Sequence, residues 1–135
     1  MNQANLSTKK DLKILIIEDE GDICFLLNIM LKKEDVEIEH VNTLAQADVF
    51  LREQVPDAVI LDNKMPDGLG INYITDIKKN YPGVKIVMIT ANGSSSDRQK
   101  AMANGADLFL PKPFTKEQIQ SALQGLLNYN FAAAV

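Results

Sequence analysis

Four apolar runs in this chain are each followed closely by a side chain able to do chemistry. Residues 58–61 (Ala-Val-Ile-Leu) end in Asp62, and Leu12–Ile17 leads into Glu18-Asp19. Residues 84–89 lead into Thr90, and residues 107–110 lead to Lys112 and Pro113. Open α/β sheets place their chemistry at the carboxyl ends of their strands. As parallel neighbours, these four runs would bring three carboxylates, a hydroxyl and an amine to one sheet edge. Carboxylates held that close repel and raise one another's pKa. A hard divalent cation relieves the repulsion, and Mg²⁺ suits one or two carboxylates together with waters and phosphate oxygens. The set fits a divalent cation and a phosphoryl group. Glu18 or Asp19 alone could equally cap a following helix, where an acid suits the dipole. Acids at two strand ends, with Thr90 and Lys112 at two more, favour the site.

The elements that must hold these groups alternate between strand and helix. Leu12–Ile17 is nearly continuous and β-branched, as expected of a central parallel strand covered on both faces. Ile23, Leu26, Leu27, Met30 and Leu31 then recur at helical spacing. Val36–Val41 is more polar on one face, which predicts an edge strand. Thr43-Leu-Ala-Gln46 reads as a capping box opening a helix to about Gln54, and Pro56 closes it. Ile71, Ile74 and Ile77 carry a third helix, which stops near Tyr81-Pro-Gly83. Asn92-Gly-Ser-Ser-Ser96 reads as a flexible loop before a helix over 97–104, stopped at Asn104-Gly105. Thr115-Lys-Glu-Gln118 is a second capping box, with Ile119, Ala122, Leu123, Leu126 and Leu127 as its helical stripe. The pattern is (βα)₅, and right-handed crossovers then require a doubly wound five-stranded parallel sheet with helices on both faces. Strand order is not readable from periodicity.

The length of 135 residues suits one domain with a single well-buried core. A net charge of −4 gives direct nucleic-acid binding no electrostatic support. No apolar stretch approaches the ~20 residues that span a bilayer, and residues 1–11 read as a polar leader without a secretory h-region. A cytoplasmic protein with no membrane insertion is expected. Cys24 is the only cysteine and reads as a packed helix residue; His40 is the only histidine and reads as a strand-end residue.

The chain resembles the response-regulator receiver domain of two-component signalling over residues 12–127, in a stand-alone, chemotaxis-regulator-like form with the flavodoxin-like (βα)₅ fold. The motifs are Glu18-Asp19, Asp62 within Asp-Asn-Lys-Met-Pro-x-x-x-Gly70, Thr90-Ala91, Asn104-Gly-Ala-Asp107 and Lys112-Pro113-Phe114. The resemblance implies that Asp62 is a phosphoacceptor, taking its phosphoryl group from a sensor histidine kinase or a histidine phosphotransfer protein. It implies Mg²⁺ bound by Asp19 and Asp62, by Glu18 through water, and by the backbone carbonyl of Lys64. Lys112 would neutralise phosphoryl charge, and Thr90 would hydrogen-bond the attached phosphoryl oxygen. The Lys112–Pro113 bond would be cis. Phe109 stands at the family's switch aromatic, where it equally reads as a core ring. Lys64, two residues past Asp62, could shield the acyl phosphate and lengthen its life, or be a solvated loop lysine. Such a domain is a self-catalysing switch rather than a conventional enzyme.

Rival readings fit less well. A haloacid-dehalogenase-type phosphatase needs an acid where Lys64 stands. An EF-hand needs other spacing, and a dinucleotide site needs glycines where Glu18-Asp-Glu-Gly-Asp22 stands. A degenerate receiver that docks without phosphorylation is the remaining alternative. The face made by residues 97–104, 107–110 and 115–127 is the one the family uses to dock a downstream target, with phosphorylation-dependent dimerisation left open. Little chain follows residue 127, so a stand-alone receiver is expected. Residues 128–135 form a short tail whose apolar end (Phe131-Ala-Ala-Ala-Val135) reads as a frayed helix extension or association patch, with a protease signal as the alternative.

Overall fold

A computed structural model describes residues 11–91 and 93–131. Five parallel strands form one sheet: β1 (Leu12–Ile17), β2 (Val36–Val41), β3 (Ala58–Asp62), β4 (Lys85–Thr90) and β5 (Leu108–Pro111). Their spatial order is β2-β1-β3-β4-β5, so the order reverses between β1 and β3. A crevice opens beyond the carboxyl ends of the strands at such a reversal. Five helices follow the strands: α1 (Gly21–Leu31), α2 (Leu44–Glu53), α3 (Gly70–Asn80), α4 (Ser95–Asn104) and α5 (Lys116–Leu127). This is the doubly wound (βα)₅ sheet expected from the alternation of patterns.

Period-2 alternation along the strands separates two cores. Leu15, Ile17, Val59, Leu61, Ile86 and Met88 pack on one face against Ala47 and Leu51 of α2, Ile71, Ile74 and Ile77 of α3, and Ala101 of α4. Ile14, Ile16, Ile60, Val87 and Ile89 pack on the other against Cys24, Leu27 and Leu31 of α1 and Ile119 and Leu123 of α5. Every residue of β3 is buried, as its central place demands. The carboxylate that ends β3 is therefore held by a strand with no freedom to slip.

Three local expectations change. The buried stripe of α1 is Cys24, Leu27 and Leu31, while Leu26 is 46% exposed. This helix is apolar nearly all round, so periodicity alone could not choose its inward face. Helix α4 begins at Ser95, inside the predicted loop, because the Ser94 hydroxyl accepts the Asp97 N–H at 3.0 Å and caps it. Phe131, expected in the tail, is buried in the second core and meets Tyr129 edge-to-face. The Tyr129 hydroxyl donates to Asp35, which ties the end of α5 to the α1–β2 turn. The leader to Lys10 and residues 132–135 of the tail lie outside the described residues, and with them the association-patch and protease-signal readings of the apolar end.

Both predicted capping boxes start helices. Thr115 and Gln118 form a complete reciprocal box. Thr43 caps α2 through the Gln46 N–H, but the Gln46 side chain accepts from Asn42 instead of Thr43. Gly105 ends α4 at φ 115°, a conformation that favours glycine.

Candidate functional site

The carboxyl ends of β1, β3, β4 and β5 surround a cavity of about 310 Å³ lined by Asp19, Glu20, Asp62, Lys64, Thr90, Ala91 and Lys112. Asp62 ends β3 and is 5% exposed. Glu18, the first residue past β1, is fully buried. Its two carboxylate oxygens are both used: one accepts the Glu20 backbone N–H at 3.1 Å, the other accepts Lys112 Nζ at 3.0 Å. Lys112 also lies 3.3 Å from Glu20 Oε1 and 3.4 Å from Asp62 Oδ1. One ammonium thus faces three carboxylates. Glu20 occupies the N-cap position of α1 without capping it. The capping role open to the acids in this loop is not the one Glu20 takes.

Burial sets the electrostatics. Loss of hydration pushes the Asp62 carboxyl above the ordinary aspartate value, and the neighbouring Lys112 charge opposes the shift. Glu18 is raised for the same reason, again against its hydrogen bond to Lys112. Burial alone would lower Lys112, but the Glu18 hydrogen bond and the Asp62 and Glu18 charges outweigh it and raise the amine. The site gathers more carboxylate than one lysine neutralises. Ligand oxygens of Glu18, Glu20 and Asp62 lie within 4.8 Å of one another, a spacing and donor set that fit a hard divalent cation. Asp19 lines the same cavity, but its carboxylate is not in that group. Glu20 was missed in the sequence, although it stands directly after the acidic pair.

The loop after Asp62 is stapled from three sides. Asn63 receives the Gly70 N–H on its carbonyl at 2.7 Å and the Ile71 N–H on its side-chain oxygen at 3.0 Å. Lys64–Met65 pairs antiparallel with Gly68–Leu69. Asp67 accepts the Leu44 and Ala45 N–H groups at 2.9 and 3.0 Å, so it caps α2 from another loop. Gly70 passes so close to the Asp62 carbonyl that a Cβ there would lie 2.3 Å from its oxygen. Lys64 itself is exposed at the cavity wall.

Thr90 ends β4 and is 4% exposed; its carbonyl accepts the Lys112 N–H at 2.8 Å. The Lys112–Pro113 peptide is cis. Phe109 is 7% exposed, with the Arg98 guanidinium carbon 5.8 Å from its ring centroid. A Cβ on Gly93 would approach the same ring at 3.0 Å. His40 is exposed on the sheet's edge strand, away from these groups. Cys24 is buried, and burial pushes its thiol up to about 11.

The family model of the response regulator receiver domain matches residues 14–124. The chain belongs to that family. The phosphate regulon transcriptional regulatory protein PhoB of Rhizobium meliloti is 31% identical over 117 residues, covering 85% of this chain and 52% of that protein. The transcriptional regulatory protein PhoP of Escherichia coli K12 is 27% identical over 123 residues, covering 91% of this chain and 55% of that protein. The chain spans about half the length of these curated relatives. Among solved structures, the beryllofluoride-activated NtrC4 receiver domain dimer superposes with a TM-score of 0.82 at 33% identity, covering 86% of this chain and 96% of that one. The signal receiver domain of a LuxO-type repressor from Vibrio parahaemolyticus gives 0.83 at 28%, covering 87% and 91%. This receiver domain is a signalling switch of the two-component type. Among the described residues, no helix is long and apolar enough to cross a membrane.

Proposed function

We propose that Asp62 accepts a phosphoryl group from a phosphohistidine on a sensor kinase or phosphotransfer protein. An Asp62 carboxylate oxygen forms the new P–O bond in line with the breaking P–N bond, and the imidazole leaves with the electron pair. The observation that carries this reading is the placing of Asp62 beside Lys112, with two further carboxylates within 4.8 Å. Asp19 and Asp62, with Glu18 through water and the Lys64 backbone carbonyl, would hold Mg²⁺, which when bound supplies charge neutralisation at the phosphoryl oxygens. Lys112 holds the opposite side of the group, and the Thr90 hydroxyl donates to the attached phosphoryl oxygen. Phosphorylation then shifts a pre-existing equilibrium of Thr90, Phe109 and the α4–β5–α5 face. That face carries the 41% exposed Met102, and a downstream protein docking there supplies the output. Onward phosphotransfer is the alternative output of the same state. Lys64 at the cavity wall slows hydrolysis of the acyl phosphate.

Incubation with acetyl phosphate and Mg²⁺ should add one phosphoryl group by intact-mass analysis, and Asp62→Asn should abolish it. An unlabelled wild-type chain that still binds its target would favour the docking-only receiver. Lys64→Ala should shorten the half-life of the phosphorylated form; an unchanged half-life removes the shielding role.

A further inference from the structure

Lys112 has three N–H donors and meets three carboxylates, at 3.0 Å from Glu18, 3.3 Å from Glu20 and 3.4 Å from Asp62. Two of those donors are taken by hydrogen bonds, to Glu18 and Glu20, while the Asp62 contact is an ion pair. A second bond from Lys112 to the phosphoryl oxygens has to take a donor from Glu18 or Glu20. Glu18 is fully buried, and its second oxygen is held by a backbone N–H. Asp62 is the group that receives the phosphoryl, so it cannot withdraw. Glu20 differs from both, because its side chain is 64% exposed while the lysine it pairs with is only 10% exposed. Rotating Glu20 into water leaves it hydrated and breaks one weak contact.

We infer that Glu20 is a releasable tether on Lys112, an internal carboxylate standing in the place of the phosphoryl oxygen until that group arrives. This rests on the phosphoacceptor reading and deepens it. Glu20 is a positioning residue acting through Lys112. It holds the amine at the cavity mouth, limits pairing with stray anions, and sets how much phosphodonor is needed to occupy the site. Its position at the N-cap of α1 without a cap bond is consistent with that use, since the side chain turns from the helix to the lysine.

The test is beryllofluoride binding at saturating Mg²⁺, followed by ¹⁹F NMR, on the wild-type chain and three variants. Glu20→Ala should tighten binding about two- to fivefold, the worth of one exposed ion pair. Glu20→Asp keeps the charge but draws the carboxylate back by one methylene, so it should behave like Glu20→Ala. Asp22→Ala removes the same charge one residue beyond the neighbouring glycine, has no contact with Lys112 and should stay at the wild-type affinity. In acetyl phosphate labelling at saturating Mg²⁺, Glu20→Ala should lower the half-saturating phosphodonor concentration by the same factor. The tether is overturned if Glu20→Ala binds no tighter than wild type. It is equally overturned if Glu20→Asp matches wild type, or if Asp22→Ala shows the same gain, since either result assigns the effect to the general field. A wild-type chain that binds no beryllofluoride overturns the phosphoacceptor reading itself.

Discussion

Replacing Gly70 by alanine tests whether the Asp62 loop is positioned by close backbone contact. The added methyl carbon would sit 2.3 Å from the Asp62 carbonyl oxygen, 3.1 Å from its carbonyl carbon and 3.1 Å from Leu61 Cγ. Two of these neighbours are backbone of the central strand, which cannot rotate aside as a flexible side chain could. Reaching even a 3.0 Å separation requires α3 and the strand end to part by about 0.7 Å, against the packing rule that interiors leave no such slack. Parting stretches the Gly70 N–H bond to Asn63 at 2.7 Å and the Ile71 N–H bond to the Asn63 side chain. Overpacking costs about 1–3 kcal/mol and each weakened bond about 0.5–1.5 kcal/mol, so a loss of about 3 kcal/mol is expected. A shift of that size at Asp62 should also slow labelling, since a misplacement of about 1 Å can cost on the order of 10²-fold in rate. Urea denaturation reads the first effect and acetyl phosphate labelling of the folded fraction reads the second. Gly83→Ala, where a Cβ meets nothing within 4 Å, is the reference. If Gly70→Ala matches that reference in both stability and labelling, contact at Gly70 does not position the phosphoacceptor.

Three further outcomes are expected. Backbone N–H groups of Leu44 and Ala45 hold the Asp67 carboxyl below its ordinary value, so its stabilising effect is full above the unfolded aspartate pKa and fades as pH falls through the lower folded value. Asp67→Asn should therefore melt below wild type at pH 7, with the gap closing below pH ~4; a gap that is constant with pH removes the charge from the explanation. Phe131→Ala should destabilise the domain by about 3–5 kcal/mol if its burial in the second core matters, and a change under about 0.5 kcal/mol would return the residue to the tail. Gly125→Ala lies within α5 with nothing within 4 Å of its new Cβ, and should raise stability by about 0.5–1 kcal/mol in the same urea assay.

Much of the site was legible before the fold because strand-end chemistry follows from local pattern. Asp62, Thr90 and Lys112 each sit where an apolar run stops, and the parallel sheet brings those stops together. Glu18 was legible for the same reason. Glu20 was not, since nothing in Glu18-Asp-Glu-Gly-Asp22 says which of several adjacent acids turns toward a lysine 92 residues away. The inward face of α1 was hidden by its excess of apolar side chains, and the burial of Phe131 depends on a turn that brings Tyr129 to Asp35.

The sequence by itself determined the alternation of strands and helices, the caps that start α2 and α5, and the chemical groups that follow each apolar run. These follow from period, propensity and capping, which act within a few residues. Only the tertiary structure decided the strand order β2-β1-β3-β4-β5, the turning of Glu20 instead of Asp19 toward Lys112, and the contact of Gly70 with the Asp62 carbonyl. Those depend on which distant segments become neighbours, and on loop backbones whose direction is set only when both ends are packed.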